Sequence, residues 1–299
     1  MREVYGIIAR RLRDGVAFVA ATLVASRGAK ASAIGTTLVV DADGSFVGDI
    51  GAGCHEGEIV ECATAMQVRG ERVSRLLTFD VDDEILAGSG CGASLDVVVW
   101  RPGADFEATA RTIAAGDRDA AFSLEGIRIA IPGKSRLVIV GSTALAAEVA
   151  KLAQACDYAV TIVDPRAAFA TRARQPAADN LIVAWPDDAV AEKSMREASA
   201  IAILSHDVKI DMPALRAALA TGARYIGLLG NRRVQASRRA TLREEGFSDV
   251  QLARIRGPAG LDLGGTTEGQ TAVSILAEIL AVERDRSGEP LSACRGPIH

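Results

Sequence analysis

The chain of 299 residues is 49% hydrophobic and 24% charged, the ordinary composition of a soluble globular protein. Its length allows two domains at roughly 100–200 residues each. The formal net charge of −4 and the aromatic content of 4% argue against a nucleic-acid partner, because a basic field and base-stacking rings are both lacking. A small anionic ligand is compatible with this composition, since single loops can bind one.

The sequence also argues against a membrane protein and against a structural metal site. It has no apolar run of the roughly 18–20 residues that span a membrane, and its first residues lack the apolar core of a signal peptide. The five cysteines are scattered and form no Cys-x-x-Cys pair, so no structural zinc site of the usual spacing is predicted. We therefore expect a cytoplasmic protein with no membrane contact.

The first part of the chain has the pattern of an α+β domain, predicted over residues 1–132. Residues 3–14 carry apolar side chains at helical spacing, and residues 18–26 are apolar and β-branched, which is typical of a buried strand. The other elements predicted here are a hairpin within 37–49 around Asp43-Gly44, a helix at 54–69, strands at 73–81 and 95–100, and a helix at 106–115.

Two cysteines of this domain lie in glycine turns. Cys54 follows Gly53 at the predicted start of a helix, where amide donors and the helix dipole favour anions and lower the pKa of a thiol. Cys91 lies between Gly90 and Gly92. Such thiols could carry sulfur, bind a soft metal or react covalently. The alternative is that each is a small buried residue that fills a tight turn.

From residue 133 to 285 the pattern changes to alternating strands and helices, which predicts a Rossmann-like domain with a doubly wound parallel sheet. Residues 286–299 are predicted to be a mobile tail. Strands are predicted at 137–140, 159–163, 181–184, 200–204 and 225–229, and helices at 144–156, 213–220, 233–245 and 267–282.

The loop after the first of these strands departs from the dinucleotide-binding fingerprint. Gly141 matches the first glycine, but Thr143 replaces the middle glycine, whose missing side chain lets the backbone approach a pyrophosphate. The loop therefore predicts a Rossmann scaffold in which ordinary NAD(P) use is disfavoured. Asp164 ends the second strand, where it could bind a ribose hydroxyl or could instead cap Arg166 or the next turn.

Other candidate ligand contacts follow predicted strands, at the edge where open α/β sheets bind ligands. These candidates are His206, Asp207, Asn231, Arg232 and Asp262. His206 could hydrogen-bond a ligand or cap a turn, and Asp262 could serve only to fix its own loop. Arg232 could pair with a phosphate, or it could belong to a solvated basic face that continues through Arg238 and Arg239.

Several motifs resemble those of one known family, in order, between residues 18 and 283. They are F-V-A-A-T-L-V-A-S-R-G at 18–28, D-G-S-F-V-G-D-I-G-A-G-C-H-E-G-E at 43–58, G-C-G-A-S-L-D-V at 90–97, I-V-D-P-R at 162–166, L-S-H-D at 204–207, Y-I-G-L-L-G-N-R-R at 225–233 and G-L-D-L-G at 260–264. The family is XdhC/CoxI, the accessory factors of xanthine dehydrogenase and their carbon monoxide dehydrogenase counterparts.

The resemblance implies a molybdenum cofactor chaperone, more a maturation factor than a turnover enzyme. Such a homodimer would hold the cofactor as cargo while a cysteine desulfurase supplies its sulfido ligand, and would then deliver it to a molybdenum hydroxylase client. Cys54 and Cys91 match the family's two cysteine turns. The cofactor-binding set that we predict is Gly53, Cys54, Gly90, Cys91, Gly92, Gly141, Asp164, His206, Asp207, Asn231, Arg232 and Asp262.

The chain departs from the family pattern in three loops, and other functions stay open. Thr143 and Ala144 replace a glycine and a histidine, Ala52 separates two glycines, and 29–32 lack a proline and an arginine. The alternatives are an NAD(P)-dependent oxidoreductase that uses Asp164, another small-molecule enzyme with Cys54 as nucleophile, and a scaffolding partner.

Overall fold

The computed structural model describes residues 1–28, 33–50, 55–79, 93–191 and 193–294. The chain divides into two compact units, Met1–Gly133 and Lys134–Cys294. The first has a mixed α+β fold and the second a Rossmann-like fold with a parallel sheet, so the predicted fold class is confirmed. Of the helices in the described ranges, none has the length and apolar character needed to cross a bilayer.

Unit 1 is built on a five-stranded antiparallel sheet with the order β3-β2-β1-β5-β4. Its strands are β1 (Phe18–Gly28), β2 (Thr37–Asp41), β3 (Phe46–Gly48), β4 (Arg75–Phe79) and β5 (Ala93–Trp100), and a separate hairpin pairs β6 (Ala120–Leu124) with β7 (Ile127–Ile131). Its helices are α1 (Arg2–Asp14), α2 (Glu56–Val68) and α3 (Glu107–Ala115).

Both faces of this sheet are covered, which explains the nearly continuous apolar run of β1. Ala20 faces the side where α1, α3 and the hairpin pack, and Ala21 faces the side where α2 packs. Because successive side chains of a strand point to opposite faces, β1 needs an apolar residue at almost every position.

Unit 2 is built on a six-stranded parallel sheet with the order β10-β9-β8-β11-β12-β13. Its strands are β8 (Ser135–Val140), β9 (Tyr158–Val163), β10 (Asn180–Ile182), β11 (Ala200–Ile203), β12 (Tyr225–Leu228) and β13 (Ile255–Arg256). Its helices are α4 (Ala144–Ala155), α5 (Lys193–Arg196), α6 (Val208–Leu219), α7 (Arg232–Glu244), α8 (Asp249–Leu252) and α9 (Glu268–Glu283).

The strand order of unit 2 reverses between β8 and β11. The chain moves outward from β8 through β9 to β10, then returns and continues outward through β11 on the other side. Two apolar cores result, one with α6 and α7 on one face and one with α4 and α9 on the other. In sheets of this kind, ligands bind beyond the carboxyl ends of the strands at this switch point.

Helix α6 differs from its sequence prediction. It begins at Val208, five residues before the predicted start at 213, and Pro213 lies inside it. A helix that started at 213 would place Pro213 in its first turn, where a proline is common. The helix starts earlier because the Asp207 carboxylate accepts a hydrogen bond from the Lys209 amide at 2.9 Å and caps it.

Candidate functional site

The loops that follow β8, β9 and β11 form a polar cluster at the carboxyl edge of the unit 2 sheet. The loop after β8 contributes Gly141 and Ser142, and the loop after β9 contributes Asp164 and Arg166. The loop after β11 contributes Ser205, His206 and Asp207. The cluster therefore lies at the switch point of the sheet, where the sequence patterns place Gly141, Asp164, His206 and Asp207.

Gly141 is required by the close approach of two backbone segments. Its φ is +104°, and a Cβ built on it would lie 2.6 Å from the Cα of Ser205. The amide of Gly141 donates to the Val163 carbonyl at 2.9 Å, which ties the loop to β9. Only glycine satisfies both the left-handed backbone and the lack of space.

Asp164 is completely buried, and its carboxylate accepts four hydrogen bonds. The Ser142 amide donates to Oδ2 at 2.7 Å, and the Arg166 amide donates to Oδ1 at 2.9 Å. The Arg166 side chain donates from Nε to Oδ1 at 2.9 Å and from Nη2 to Oδ2 at 2.7 Å. A carboxylate offers about four lone-pair sites, so these donors saturate it.

The hydrogen bonds decide the charge of Asp164. Burial alone would raise the pKa of this carboxyl group, but the donors from Arg166 and Ser142 outweigh burial and lower its pKa. The group is therefore an anion at neutral pH. In the structure Asp164 caps Arg166 and the loop of Ser142, and its contact with a ligand stays a prediction.

Arg166 presents the positive charge of this pair at the rim of the cluster. Its side chain is 33% exposed, and its guanidinium carbon lies 4.3 Å from the centroid of the Phe169 ring. Arg174 lies over the same ring at 5.3 Å. Asp164 and, more weakly, Asp207 raise the pKa of Arg166, so the guanidinium stays charged. The sequence patterns indicated Arg166 only as a residue that Asp164 could cap.

Thr143 and Gln175 fix the loop after β8. The Thr143 hydroxyl accepts from the Ala146 amide at 3.1 Å and caps α4. Gln175 is buried, and its Nε2 donates to Ser142 Oγ at 2.9 Å and to the Thr143 carbonyl at 3.0 Å. Gln175 lies 33 residues from Ser142 in the chain, and no sequence pattern connects the two.

A buried ion pair supports the loop after β11. The Ser205 hydroxyl donates to Asp211, and Arg238 donates from Nη2 to Asp211 Oδ2 at 2.5 Å. Asp211 is 1% exposed and Arg238 9%. The solvated basic face proposed for Arg238 and Arg239 is therefore wrong, because Arg239 also points inward, donating to the Leu252 and Ile255 carbonyls.

The other predicted contacts of unit 2 take different roles. His206 is exposed with φ +60°, in the left-handed region. Asp207 and Asn231 are N-caps of α6 and α7, and Asn231 accepts from the Val234 amide at 3.0 Å. Arg232 is exposed at the start of α7, one strand beyond the cluster, and Asp262 is exposed in the loop before α9.

The predicted contacts of unit 1 are the glycines and cysteines of two turns. Gly53, Cys54, Gly90, Cys91 and Gly92 all lie outside the described residues.

The flanks of these segments are described. His55, which follows Cys54 in the chain, stacks on Phe79 at the end of β4, with ring centroids 4.2 Å apart. Burial and the nearby Asp49 raise the pKa of Glu56.

Comparison with known proteins gives matches over both units. The model of the XdhC Rossmann domain matches residues 137–279, and the model of the XdhC and CoxI family matches residues 11–80. In an alignment of 311 positions, the chain is 24% identical to the molybdenum cofactor insertion chaperone PaoD of Escherichia coli. The alignment covers 94% of this chain and 88% of PaoD.

One further protein is similar to this chain in sequence, and one solved structure is similar to it in fold. The chain is 26% identical over 274 residues to the uncharacterized protein YqeB of Escherichia coli, which covers 91% of this chain and 44% of YqeB, so it spans less than half of that relative. A crystal structure of a xanthine dehydrogenase from Bacillus halodurans is similar with a TM-score of 0.76 at 20% identity, over 97% of this chain and 98% of that one. This last likeness shows the fold alone.

We predict that Gly141→Ala lowers the free energy of unfolding by at least about 2 kcal/mol, from left-handed strain and the clash with Ser205. The matched control is Gly222→Ala, because Gly222 has open space around its ideal Cβ and an ordinary φ. That variant is expected to change stability by less than about 1 kcal/mol in urea unfolding. Equal effects of the two substitutions would contradict the close approach of the two loops.

Proposed function

This chain belongs to the XdhC and CoxI family, and on that premise we propose that it binds the molybdenum cofactor and inserts it into a molybdenum hydroxylase of the xanthine dehydrogenase type. The match to PaoD supports this proposal, because it extends over nearly the whole of both chains. In this role the cofactor is cargo, which the chain holds and then passes to the hydroxylase.

The single observation that carries the proposal is the saturated carboxylate of Asp164. Because Arg166 covers it, the rim of the crevice presents guanidinium N–H groups where a dinucleotide fold ordinarily presents a free carboxylate. The molybdenum cofactor is a pterin dithiolene with a phosphate and is anionic. Such a ligand needs donors and positive charge, which Arg166 and Arg174 supply at the rim.

The same geometry disfavours an NAD(P)-dependent oxidoreductase. A ribose hydroxyl would have to displace Arg166 from Asp164, and that would leave a buried carboxylate with fewer donors. The loop after β8 adds a second obstacle, because Thr143 is engaged as the cap of α4. Both features are compatible with a ligand that binds through its phosphate alone.

Three partner predictions belong to the proposal. The hydroxylase receives the cofactor, a cysteine desulfurase supplies its sulfur while the chain holds it, and two copies of the chain form the working unit. Cys54 and Cys91 are the thiols that we propose to handle that sulfur. His206, Asp207, Asn231, Arg232 and Asp262 stay proposed cofactor contacts, and Asp207 helps to raise the pKa of Arg166.

The rim charge can be tested by the molybdenum content of the client hydroxylase. We predict that Arg174→Gln, in cells that depend on this chain, lowers the molybdenum per hydroxylase about tenfold, the effect of one lost charge-assisted contact. Arg174 is preferred to Arg166 because it makes no hydrogen bond to Asp164, so its loss leaves the buried carboxylate satisfied. Elemental analysis of the purified hydroxylase gives the result.

The control for this experiment is Arg243→Gln. Arg243 is an exposed arginine of α7 that pairs with Asp249 at 2.6 Å, away from the crevice. It is expected to leave the molybdenum content of the hydroxylase unchanged. If the Arg174 variant loads the hydroxylase with molybdenum fully, Arg174 does not contribute to binding the cofactor.

The thiols require a separate test. We predict that Cys54→Ala or Cys91→Ala lowers the activity of the client about tenfold or more without changing the thermal unfolding of this chain, because each substitution removes a thiol that we propose to handle sulfur. Cys156→Ala is the matched control, since Cys156 is a free, exposed cysteine at the end of α4. Full client activity with both Cys54 and Cys91 replaced would exclude them from the mechanism.

A further inference from the structure

Unit 1 contains a cleft that the proposed function does not use. It lies between the end of α1 and the segment that follows β5, and its volume is about 340 Å³. That volume falls at the lower end of the roughly 300–1,000 Å³ that small-molecule sites occupy. The residues that matter for its chemistry are Leu12, Val16, Phe18, Arg72 and Arg101.

One wall of the cleft is apolar. Leu12 comes from the last turn of α1, and Val16 and Phe18 follow where the chain turns into β1. This turn is made possible by Gly15, which ends α1 in the left-handed conformation with φ +68°. Val16 is 50% exposed, so the wall holds apolar surface that a ligand would remove from water.

The lining of the cleft also includes two arginines. Arg101 is half-buried, and its Nη2 reaches the Met66 and Gln67 carbonyls only at 3.4 Å, at the long end of hydrogen-bond distances. Its Nε is buried and has no hydrogen-bond partner within the described part of the chain. Arg72 adds a second, exposed guanidinium. Of the residues that line the cleft, all of them described, none is acidic.

We propose that this cleft binds a small organic anion with one phosphate or carboxylate group and a short apolar body. The anionic group would lie between Arg101 and Arg72 and would pair with the Nη groups of Arg101, whose contacts to backbone carbonyls are long, and with the exposed guanidinium of Arg72. The apolar body would pack on Leu12, Val16 and Phe18. This inference rests on unit 1 alone and is independent of the proposed handling of the molybdenum cofactor.

Isothermal titration of the full chain with phenyl phosphate tests the proposal, with benzyl alcohol as the neutral analogue. Phenyl phosphate is expected to bind saturably at low ionic strength, and benzyl alcohol at least about tenfold more weakly, since it lacks the charge that the arginines recognise. Arg72→Gln and Arg101→Gln are each expected to weaken phenyl phosphate about tenfold. The matched control is Arg111→Gln, because Arg111 is an exposed arginine of α3 outside the cleft.

Arg101→Gln could also disturb the fold, because Arg101 contacts the end of α2. A further variant therefore tests the cleft without changing Arg101. Val16→Trp keeps both arginines and fills the cleft from an exposed position, so it is expected to weaken phenyl phosphate to the same extent. The absence of saturable phenyl phosphate binding up to about 10 mM would overturn the proposal. So would binding that survives both Arg72→Gln and Val16→Trp.

Discussion

The buried carboxylate of Asp164 determines what the carboxyl edge of unit 2 can offer a ligand. Burying an ionised carboxylate costs several kcal/mol unless donors replace the lost water. Here the backbone of Ser142 and the backbone and side chain of Arg166 supply four donors and join the loops after β8 and β9. The anion is thereby used internally, and what the pair presents at the rim of the cluster is the guanidinium of Arg166 and its remaining N–H groups.

Two further contacts fix the position of the loop after β11 beside the Asp164–Arg166 pair. The backbone of Ser205 packs on Gly141 so closely that no side chain fits between them. Beneath it, the hydroxyl of Ser205 and the guanidinium of Arg238 share the carboxylate of Asp211. Removing one partner of such a buried pair typically costs about 3–5 kcal/mol, so the three loops form a preorganised edge. Preorganisation lowers the entropy cost of binding a ligand there.

Sequence patterns predicted the elements that depend on local periodicity. The alternation after residue 133 predicted the parallel sheet because strands and helices have different hydrophobic periods, and Gly141 stood out because it matches the first glycine of the dinucleotide-binding fingerprint. The start of α6 was misplaced because the cap at Asp207 outweighs the signal of Pro213. The site is a different case, since its contacts join residues that are distant in the chain.

The pairs Asp211–Arg238 and Ser142–Gln175 span 27 and 33 residues, and nothing in either segment marks its partner. The sequence therefore leaves open a solvated basic face through Arg238, although Arg238 is buried. The hydrogen bonds that saturate the Asp164 carboxylate were hidden from the sequence for the same reason. The amide of Ser142 reaches Asp164 only because β8 and β9 lie side by side.

The central claim is that this edge of unit 2 receives the anionic molybdenum cofactor and excludes a pyridine dinucleotide. The most direct measurement purifies the chain without oxygen from cells that make the cofactor, and determines molybdenum, released pterin and NADH binding on the same sample. The account predicts molybdenum and pterin in near-equal amounts with the protein and no saturable NADH binding. Protein that retains neither molybdenum nor pterin and binds NADH tightly would contradict it.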